Sequence, residues 1–202
     1  MNARTLAVSA LTILAASSAA NAAIFGVTGM TTWLGSPPAS CTPGSLTGFN
    51  AFAWDEKPVV NLSLVADMVN NPGSSTLPLP GPISGMFASH FIHWEPHPGA
   101  IGPSGTVTFT QPIAAVEFRN ISLDNTDVSC GSFGTVYPTT YPFRGLNAAS
   151  MFSINANVLT YQFAAMAPNA DVVQLRVFTP VPTPGPLALG GLGALCMIRR
   201  RR

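Results

Sequence analysis

Charge is scarce in this chain and is unevenly placed. Only 8% of its 202 residues are charged, and four of its nine Lys and Arg residues are its last four. Residues 23–180 hold four basic and eight acidic side chains, a formal charge of −4 that the whole-chain value of +1 conceals. Such a segment has no basic patch with which to hold a phosphate backbone, so we exclude nucleic acid as a partner.

Recognisable catalytic and nucleotide-binding motifs are missing as well. The sequence has no G-x-S-x-G elbow, no H-E-x-x-H, no phosphate-binding P-loop and no dinucleotide glycine fingerprint. Nothing in it indicates enzymatic chemistry. We therefore predict a non-enzymatic protein that uses no cofactor.

The first 22 residues, MNARTLAVSALTILAASSAANA, have the composition of an export signal. Arg4 precedes an apolar stretch over residues 6–16, and small residues follow as far as A-N-A at positions 20–22. A basic start, a short apolar run and an A-x-A end are typical of a secretory signal peptide. We expect signal peptidase to remove residues 1–22, which leaves residues 23–180 as an exported domain.

Cysteine is rare, and export would allow the two cysteines of this domain to form a disulfide. Cys41 and Cys130 would fold in a compartment where disulfides persist. A bridge between them would close a loop of about 90 residues and stabilise the fold by about 4 kcal/mol on the chain-entropy estimate. We predict this disulfide, and two free buried thiols are the alternative.

The exported domain reads as short β segments separated by proline and glycine, of which the chain has 19 and 18. The stretch TVTFT at 106–110 alternates strictly, with Val107 and Phe109 on one face and threonines on the other. Further strands are predicted at 59–65, 86–94, 113–118, 151–154, 158–163 and 172–178. Such strands, without intervening helices, predict an all-β fold, an antiparallel β-sandwich or jelly roll.

Two segments predict strand pairing and strand faces in more detail. FSINANVLTYQF predicts a hairpin through N-A-N at 155–157, because Asn tolerates the left-handed conformations of tight turns. In the last predicted strand Val173, Leu175 and Val177 lie on one face. Gln174 and Arg176 lie on the other.

All three histidines fall in SHFIHWEPHP, together with Glu95. On a regular strand His90 and His93 point to opposite faces, whereas His93 and Glu95 share one. A metal site at His93 and Glu95 would therefore need a ligand from elsewhere in the fold. We favour the alternative, a strand with one histidine packed and the others at the surface, and predict no metal site.

Two other groups of residues have a structural and a functional interpretation. Asp124 and Asp127 in LDNTD suggest calcium, but the fragment lacks the D-x-D-x-D-G loop, and turn chemistry explains it at least as well. Trp33, Trp54 and Trp94 would stack on sugar rings if they were exposed. Packing in the core or in loops is the interpretation that we favour for them.

The chain ends in VPTPGPLALGGLGALCMIRRRR. Its apolar run, residues 187–198, has 12 residues, whereas a straight transmembrane helix needs about 20. Counting from residue 181 gives 18 residues without a charge. The terminal arginines would stay on the cytoplasmic side by the positive-inside rule, so we expect residues 181–202 to anchor the domain outside the inner membrane.

The tail thus combines a Pro-x-Pro motif, an apolar segment and an arginine cluster, formed in order by Pro182, Thr183 and Pro184 and then by Arg199, Arg200, Arg201 and Arg202. These features resemble the PEP-CTERM sorting signal of exported proteins in Gram-negative bacteria, which that family hands to a membrane-embedded exosortase. Thr183 stands where the family's motif usually has Glu. Whether the tail is cut or kept is therefore left open.

The domain also resembles the exported domains commonly found ahead of that signal. GTVTFTQPIAAVEF, LDNTD, GTVYPT, RGL and VVQLRVFT follow one another between residues 105 and 179 and are similar to such domains in content and order. The resemblance implies a β-sandwich of uncharacterised biochemical role. It also implies a structural role for His93.

Together these features predict an exported cell-surface or extracellular-matrix protein of a Gram-negative bacterium, structural or adhesive in role. Its expected partners are signal peptidase, an exosortase-type enzyme, the inner membrane and exopolysaccharide. One alternative is a carbohydrate-binding module for exopolysaccharide. A further alternative is a metal-dependent hydrolase centred on His93 and Glu95.

Overall fold

A computed structural model describes residues 22–97, 99–165 and 172–182. The predicted signal peptide and sorting tail lie outside these residues, apart from Ala22, Val181 and Pro182. The described residues form eleven strands and one helix. In chain order they are β1 (Ile24–Gly29), β2 (Thr31–Trp33), β3 (Thr47–Gly48), β4 (Ala51–Ala66), β5 (Gly73–Ser74), β6 (Gly81–Pro96), β7 (Ser104–Phe109), β8 (Ala115–Glu117), α1 (Asn120–Cys130), β9 (Met151–Asn155), β10 (Val158–Gln162) and β11 (Val173–Pro180).

The strands form two sheets. The front sheet has the order β1-β7-β10-β9-β5, and its neighbouring strands are all antiparallel. The back sheet has the order β2-β4-β6-β11-β8, with β3 beside β6. Both β2 against β4 and β3 against β6 are parallel, so the back sheet is mixed. The predicted all-β class is confirmed, and the two sheets are consistent with the predicted β-sandwich. Pairing between named strands is antiparallel except at the short strands β2 and β3.

The main core contains one face of each sheet. Val107 and Phe109 contribute from β7, as their alternation predicts, and Trp94 and Leu175 contribute from the long strands of the back sheet. Every one of these four side chains is fully buried. Burial of this apolar surface, at about 25 cal/mol per Å², holds the two sheets together.

The predicted hairpin is confirmed as β9 and β10, which pair with Asn155 opposite Val158. Its turn differs in one detail, because the left-handed residue is Ala156, with φ of 52°, and not one of the two asparagines. Asn71 stabilises this turn: its amide donates to the Ala156 carbonyl over 2.7 Å and its side-chain oxygen accepts from the Ala156 N–H over 2.8 Å. A distant side chain therefore stabilises a conformation that Ala rarely adopts.

Helix α1 is absent from the sequence prediction, which assigned LDNTD to a turn. Its buried residues, Leu123, Thr126, Asp127 and Cys130, have the three- and four-residue spacing of a helix face. Two of the four are polar, so the hydrophobic periodicity that normally predicts a helix is missing. The helix packs on the back sheet through Leu123 and Cys130, which join apolar clusters, and through the polar Thr126 and Asp127.

The start of α1 is fixed by a carboxylate from elsewhere in the chain. Asp67, directly after β4, accepts hydrogen bonds from the N–H groups of Phe118 and Arg119, each over 2.8 Å, and from the Ser122 hydroxyl over 2.7 Å. Arg119, at the N-cap position, makes no capping bond with its own side chain. A negative group at this end also suits the helix dipole.

Candidate functional site

The histidines of β6 lie on opposite faces, as predicted, but both are fully buried, so the prediction of a surface histidine is wrong for this pair. His90 points into the main core, where its ring lies 4.8 Å from that of Phe109. Its Nδ1 lies 2.6 Å from a carboxylate oxygen of Asp55, and its Nε2 lies 2.8 Å from the hydroxyl of Thr179. Both ring nitrogens are therefore engaged within the fold.

His93 lies on the other face of β6, on the same side as Glu95. Burial lowers the pKa of His93 to about 3, so the ring is neutral and accepts a hydrogen bond at Nδ1 from the Gln174 amide over 3.0 Å. Glu95 accepts the N–H of Gly44 over 2.6 Å. Within the described part of the chain, no three His, Cys, Asp or Glu side chains are grouped so as to hold a metal ion.

Cys41 and Cys130 are free thiols, so the predicted disulfide is not formed. Both are fully buried, but they belong to two different apolar clusters. Cys41 contacts the carbonyl of Val136 through sulfur, whereas Cys130 lies beside the hydroxyl of Ser129. Burial raises the pKa of both thiols, that of Cys41 to about 12, which keeps them protonated and unreactive.

The two aspartates of LDNTD project from α1 towards Arg144. Its guanidinium donates to both oxygens of Asp127, over 2.6 and 2.9 Å, and to Asp124 over 2.6 Å. Burial acts to raise the pKa of Asp127, but the hydrogen bonds and the charge of Arg144 outweigh it and hold the pKa below its ordinary value. These carboxylates are thus neutralised by arginine, and the calcium interpretation of the sequence finds no support in their contacts.

A second arginine, Arg176, lies on the same face of the back sheet. It donates to both oxygens of Glu56, over 2.8 and 2.9 Å, and to Asp127 over 3.1 Å. Its guanidinium also lies 4.9 Å from the centre of the Phe91 ring and 5.4 Å from that of Tyr137. Such bidentate and stacked contacts are typical of buried arginine.

Asp127 joins the two arginines into one group, which we call the ion cluster: Glu56, Asp124, Asp127, Arg144 and Arg176. The side chains of both arginines and of Glu56 have no exposed surface. The cluster fastens α1 and the loop that follows it to β4 and β11. Each of its three carboxylates contacts an arginine within the fold, so its role is structural.

Tryptophan contributes little accessible surface. Trp54 and Trp94 are fully buried, and the Trp94 indole N–H donates to the carbonyl of Gly48 over 3.1 Å. Trp33, on β2, is 46% exposed. Two of the three side chains considered for sugar stacking are therefore core residues, as favoured from the sequence.

The outer face of the front sheet has a regular arrangement of polar groups. One residue from each of its five strands is aligned in register, and each of these residues carries a hydroxyl. We call this set the hydroxyl row: Thr28, Thr106, Thr160, Ser153 and Ser74. Since neighbouring strands lie about 4.8 Å apart, the row extends across the sheet for about 19 Å.

The surroundings of the hydroxyl row are uncharged and slightly concave. None of the residues of β1, β5, β7, β9 and β10 is charged. A shallow cavity of about 310 Å³ lies over one half of the row, and Thr76, Met151 and Gln162 help to line it. Two pairs of hydroxyls within and beside the row are already in contact, Thr28 with Thr106 over 2.7 Å and Ser74 with Thr76 over 2.9 Å.

Sequence reasoning missed this surface. The alternation of TVTFT predicts that threonines face away from the core, but it does not predict which residues of other strands lie beside them. Inter-strand register, which depends on distant strands, aligns the five hydroxyls. The sequence feature that could have indicated this surface is the presence of Ser and Thr at outward positions of several predicted strands.

The chain matches no protein family, no curated protein and no solved structure in the comparisons made with each. Among the described residues, no helix is both long and apolar enough to cross a membrane.

Proposed function

We propose that this chain is an exported, non-enzymatic adhesive protein of the bacterial cell surface that holds neutral polysaccharide on its front sheet. The observation that carries the proposal is the hydroxyl row, which crosses five uncharged strands in register. The ion cluster contributes rigidity to the fold and is not part of the binding surface.

A neutral glycan suits this surface chemically. Hydroxyl groups both donate and accept hydrogen bonds, so a row of them complements the hydroxyls of a sugar chain without any charge having to be desolvated. The inter-strand distance, about 4.8 Å, is close to the length of one sugar residue in an extended glycan. A glycan lying along the row would therefore meet one protein hydroxyl per residue.

Charge favours neutral over anionic polysaccharide. The segment 23–180 has a formal charge of −4, so it would repel an acidic polymer at low ionic strength. The front sheet adds no basic side chain to offset this repulsion. We therefore expect the front sheet to bind uncharged glycans in preference to acidic ones.

The two ends of the chain would direct its export and its sorting. Signal peptidase would release the N terminus, and an exosortase-type enzyme or the bilayer itself would hold the tail that begins at Pro182 and Thr183. The exported domain would then lie on the outer side of the membrane. A neutral exopolysaccharide is the partner that we propose for it there.

The test is glycan binding by the full chain in detergent, measured on an array and then by titration calorimetry. Thr160→Val and Ser153→Ala remove two adjacent hydroxyls of the row with little change in side-chain size. Thr47→Val and Ser63→Ala are the matched controls, because both side chains are exposed on the back sheet. Loss of neutral-glycan binding in the first pair alone would support the proposal. Equal loss in both pairs, or no glycan binding by the parent chain, would refute it.

A further inference from the structure

A second cavity lies between β4 and the loop that follows α1. Its volume is about 370 Å³, and the residues that line it include Lys57, Ser132, Phe133, Thr135, Tyr137 and Thr139. Ligand pockets in proteins commonly have volumes of about 300–1,000 Å³, so this space suffices for a small molecule. None of these six residues belongs to the front sheet, so the cavity is separate from the hydroxyl row.

Ser132 lines this cavity and has a side-chain hydroxyl that the fold does not use. The residue is only 7% exposed, and its Oγ has no hydrogen-bond partner among the described residues. Its backbone N–H, by contrast, donates to the hydroxyl of Tyr137 over 2.9 Å. A buried hydroxyl without a partner is unfavourable in a native fold. A polar ligand in the cavity would supply that partner.

Phe133, the next residue, is fully exposed beside the cavity. It lies in a turn in which the N–H of Thr135 donates to the carbonyl of Ser132 over 3.3 Å. Gly134 completes this turn with φ of 84°, a conformation that favours glycine. The turn thus holds a large apolar ring in water. Contact with the apolar face of a ligand would remove part of that ring from water.

The other polar side chains of the lining leave both donors and acceptors free. The Lys57 ammonium donates to two carbonyls at the carboxyl end of α1, over 3.3 and 2.6 Å, and keeps its third N–H. The hydroxyls of Thr135 and Thr139 each donate to an acceptor within the fold, over 2.7 and 2.8 Å, and keep acceptor lone pairs. A ligand hydroxyl, which both donates and accepts, suits such a lining.

The charges at the cavity favour a neutral ligand. The ammonium of Lys57 is offset by the carboxyl end of α1, which is the negative end of the helix dipole. Asp127 also lines the cavity, but its carboxylate accepts hydrogen bonds from Arg144 and Arg176 within the ion cluster. Neither charge is therefore left uncompensated for an ionic ligand.

We propose that this cavity binds one neutral hexose ring. The ring of Phe133 would contact the apolar face of the sugar, and Ser132 and Lys57 would form hydrogen bonds with its hydroxyls. A sugar combines an apolar ring face with hydroxyls around its edge, so it matches both parts of the lining. Sugar binding at this cavity does not depend on the hydroxyl row.

The experiment is an NMR titration of the full chain with glucose, galactose and mannose, in a detergent that has no sugar headgroup. We expect the amide signals of residues 131–135 to shift with at least one hexose and to saturate with a Kd of about 1 mM. Glucuronate, an acidic counterpart, should bind more weakly. Absence of a saturable shift at residues 131–135 with all three hexoses, or tighter binding of glucuronate, would overturn the proposal. Either result would leave the front-sheet proposal standing.

Two variants test the named side chains. Ser132→Ala should weaken hexose binding about threefold to tenfold, and Phe133→Ser about tenfold. Neither should lower the urea midpoint, because the Ser132 hydroxyl has no partner in the described fold and Phe133 is exposed. Ser63→Ala and Phe25→Ser make the same changes at exposed positions outside the cavity and should bind like the parent chain. Parent-like binding by both cavity variants, or equal weakening by the controls, would overturn the proposal.

Discussion

Arg176 of β11 and Glu56 of β4 are joined by two hydrogen bonds although a whole strand, β6, lies between β4 and β11. Both side chains have no exposed surface. The long arginine side chain reaches across β6 beneath α1, and stacking against Phe91 and Tyr137 fixes its plane. The pair links the two sides of the back sheet and supplies the charge that holds α1.

Removing Arg176 should strongly destabilise the domain. Arg176→Met leaves Glu56 and Asp127 buried without one of their cations, and breaking a buried ion pair in this way costs roughly 3–5 kcal/mol. Urea unfolding followed by fluorescence measures the loss. Arg119→Met is the control, since its side chain is 55% exposed and its contact with Asp67 is long at 3.8 Å, so it should cost less than about 1 kcal/mol. Equal destabilisation by the two variants would contradict the role given to the ion cluster.

Stability should fall in acid because of His93. Its pKa is about 3 in the folded protein, whereas an unfolded histidine titrates near 6.5. The unfolded state therefore binds a proton first, and this group lowers the free energy of unfolding by up to about 1.4 kcal/mol per pH unit as pH falls from 6.5 towards 3. His93→Gln should flatten that slope, and substitution of the exposed His97 should keep it. An unchanged slope in His93→Gln would show that the ring is protonated in the native state.

Glu117 should act in the opposite direction. Burial raises its pKa to about 7 from an ordinary value of 4.5, even though the hydroxyl of Thr126 donates to it. The folded state thus keeps a proton that the unfolded state has lost, and this contribution to stability declines by up to about 3 kcal/mol as pH rises from 4.5 to 7.

The check on Glu117 is a comparison of urea midpoints at pH 5 and pH 8. Glu117→Gln, which resembles the protonated form, should gain on the parent chain as pH rises. Glu95→Gln is a useful comparison, because that carboxylate is also buried but accepts the backbone N–H of Gly44. If the urea midpoint of Glu117→Gln differs from that of the parent chain by the same amount at pH 5 and at pH 8, Glu117 is ionised in the folded protein at both pH values.

The predicted anchor is tested by deleting residues 183–202, which leaves β11 and the hydrogen bond from Val181 to Met86 in place. We expect the truncated protein to move from the membrane fraction to the soluble fraction, as followed by immunoblotting. Thr183→Glu restores the residue that the resembled motif usually has, and should increase processing in a host that carries an exosortase. An unchanged distribution after truncation would show that the tail is not a membrane segment.

Residue alternation predicted most of the longer strands, whereas the shorter strands β1, β2, β3 and β5 and the helix α1 were not predicted. Val107, Phe109 and Leu175 are buried as their positions predict, and the β9–β10 hairpin lies where its sequence places it. Helix α1 escaped prediction because its buried face contains Thr126 and Asp127. Polar side chains at buried positions are stable only with partners, and their partners come from distant strands.

The sequence by itself determined the β class, the core-facing residues of β7 and β11, the separation of His90 from His93 and the acidic balance of the domain. These follow from the two-residue period of a strand and from composition, both of which are local. Only the tertiary structure decided that Arg176 is buried, that Cys41 and Cys130 stay apart and that five hydroxyls align across the front sheet. Each of these depends on register and contacts between residues far apart in the chain, which local alternation does not encode.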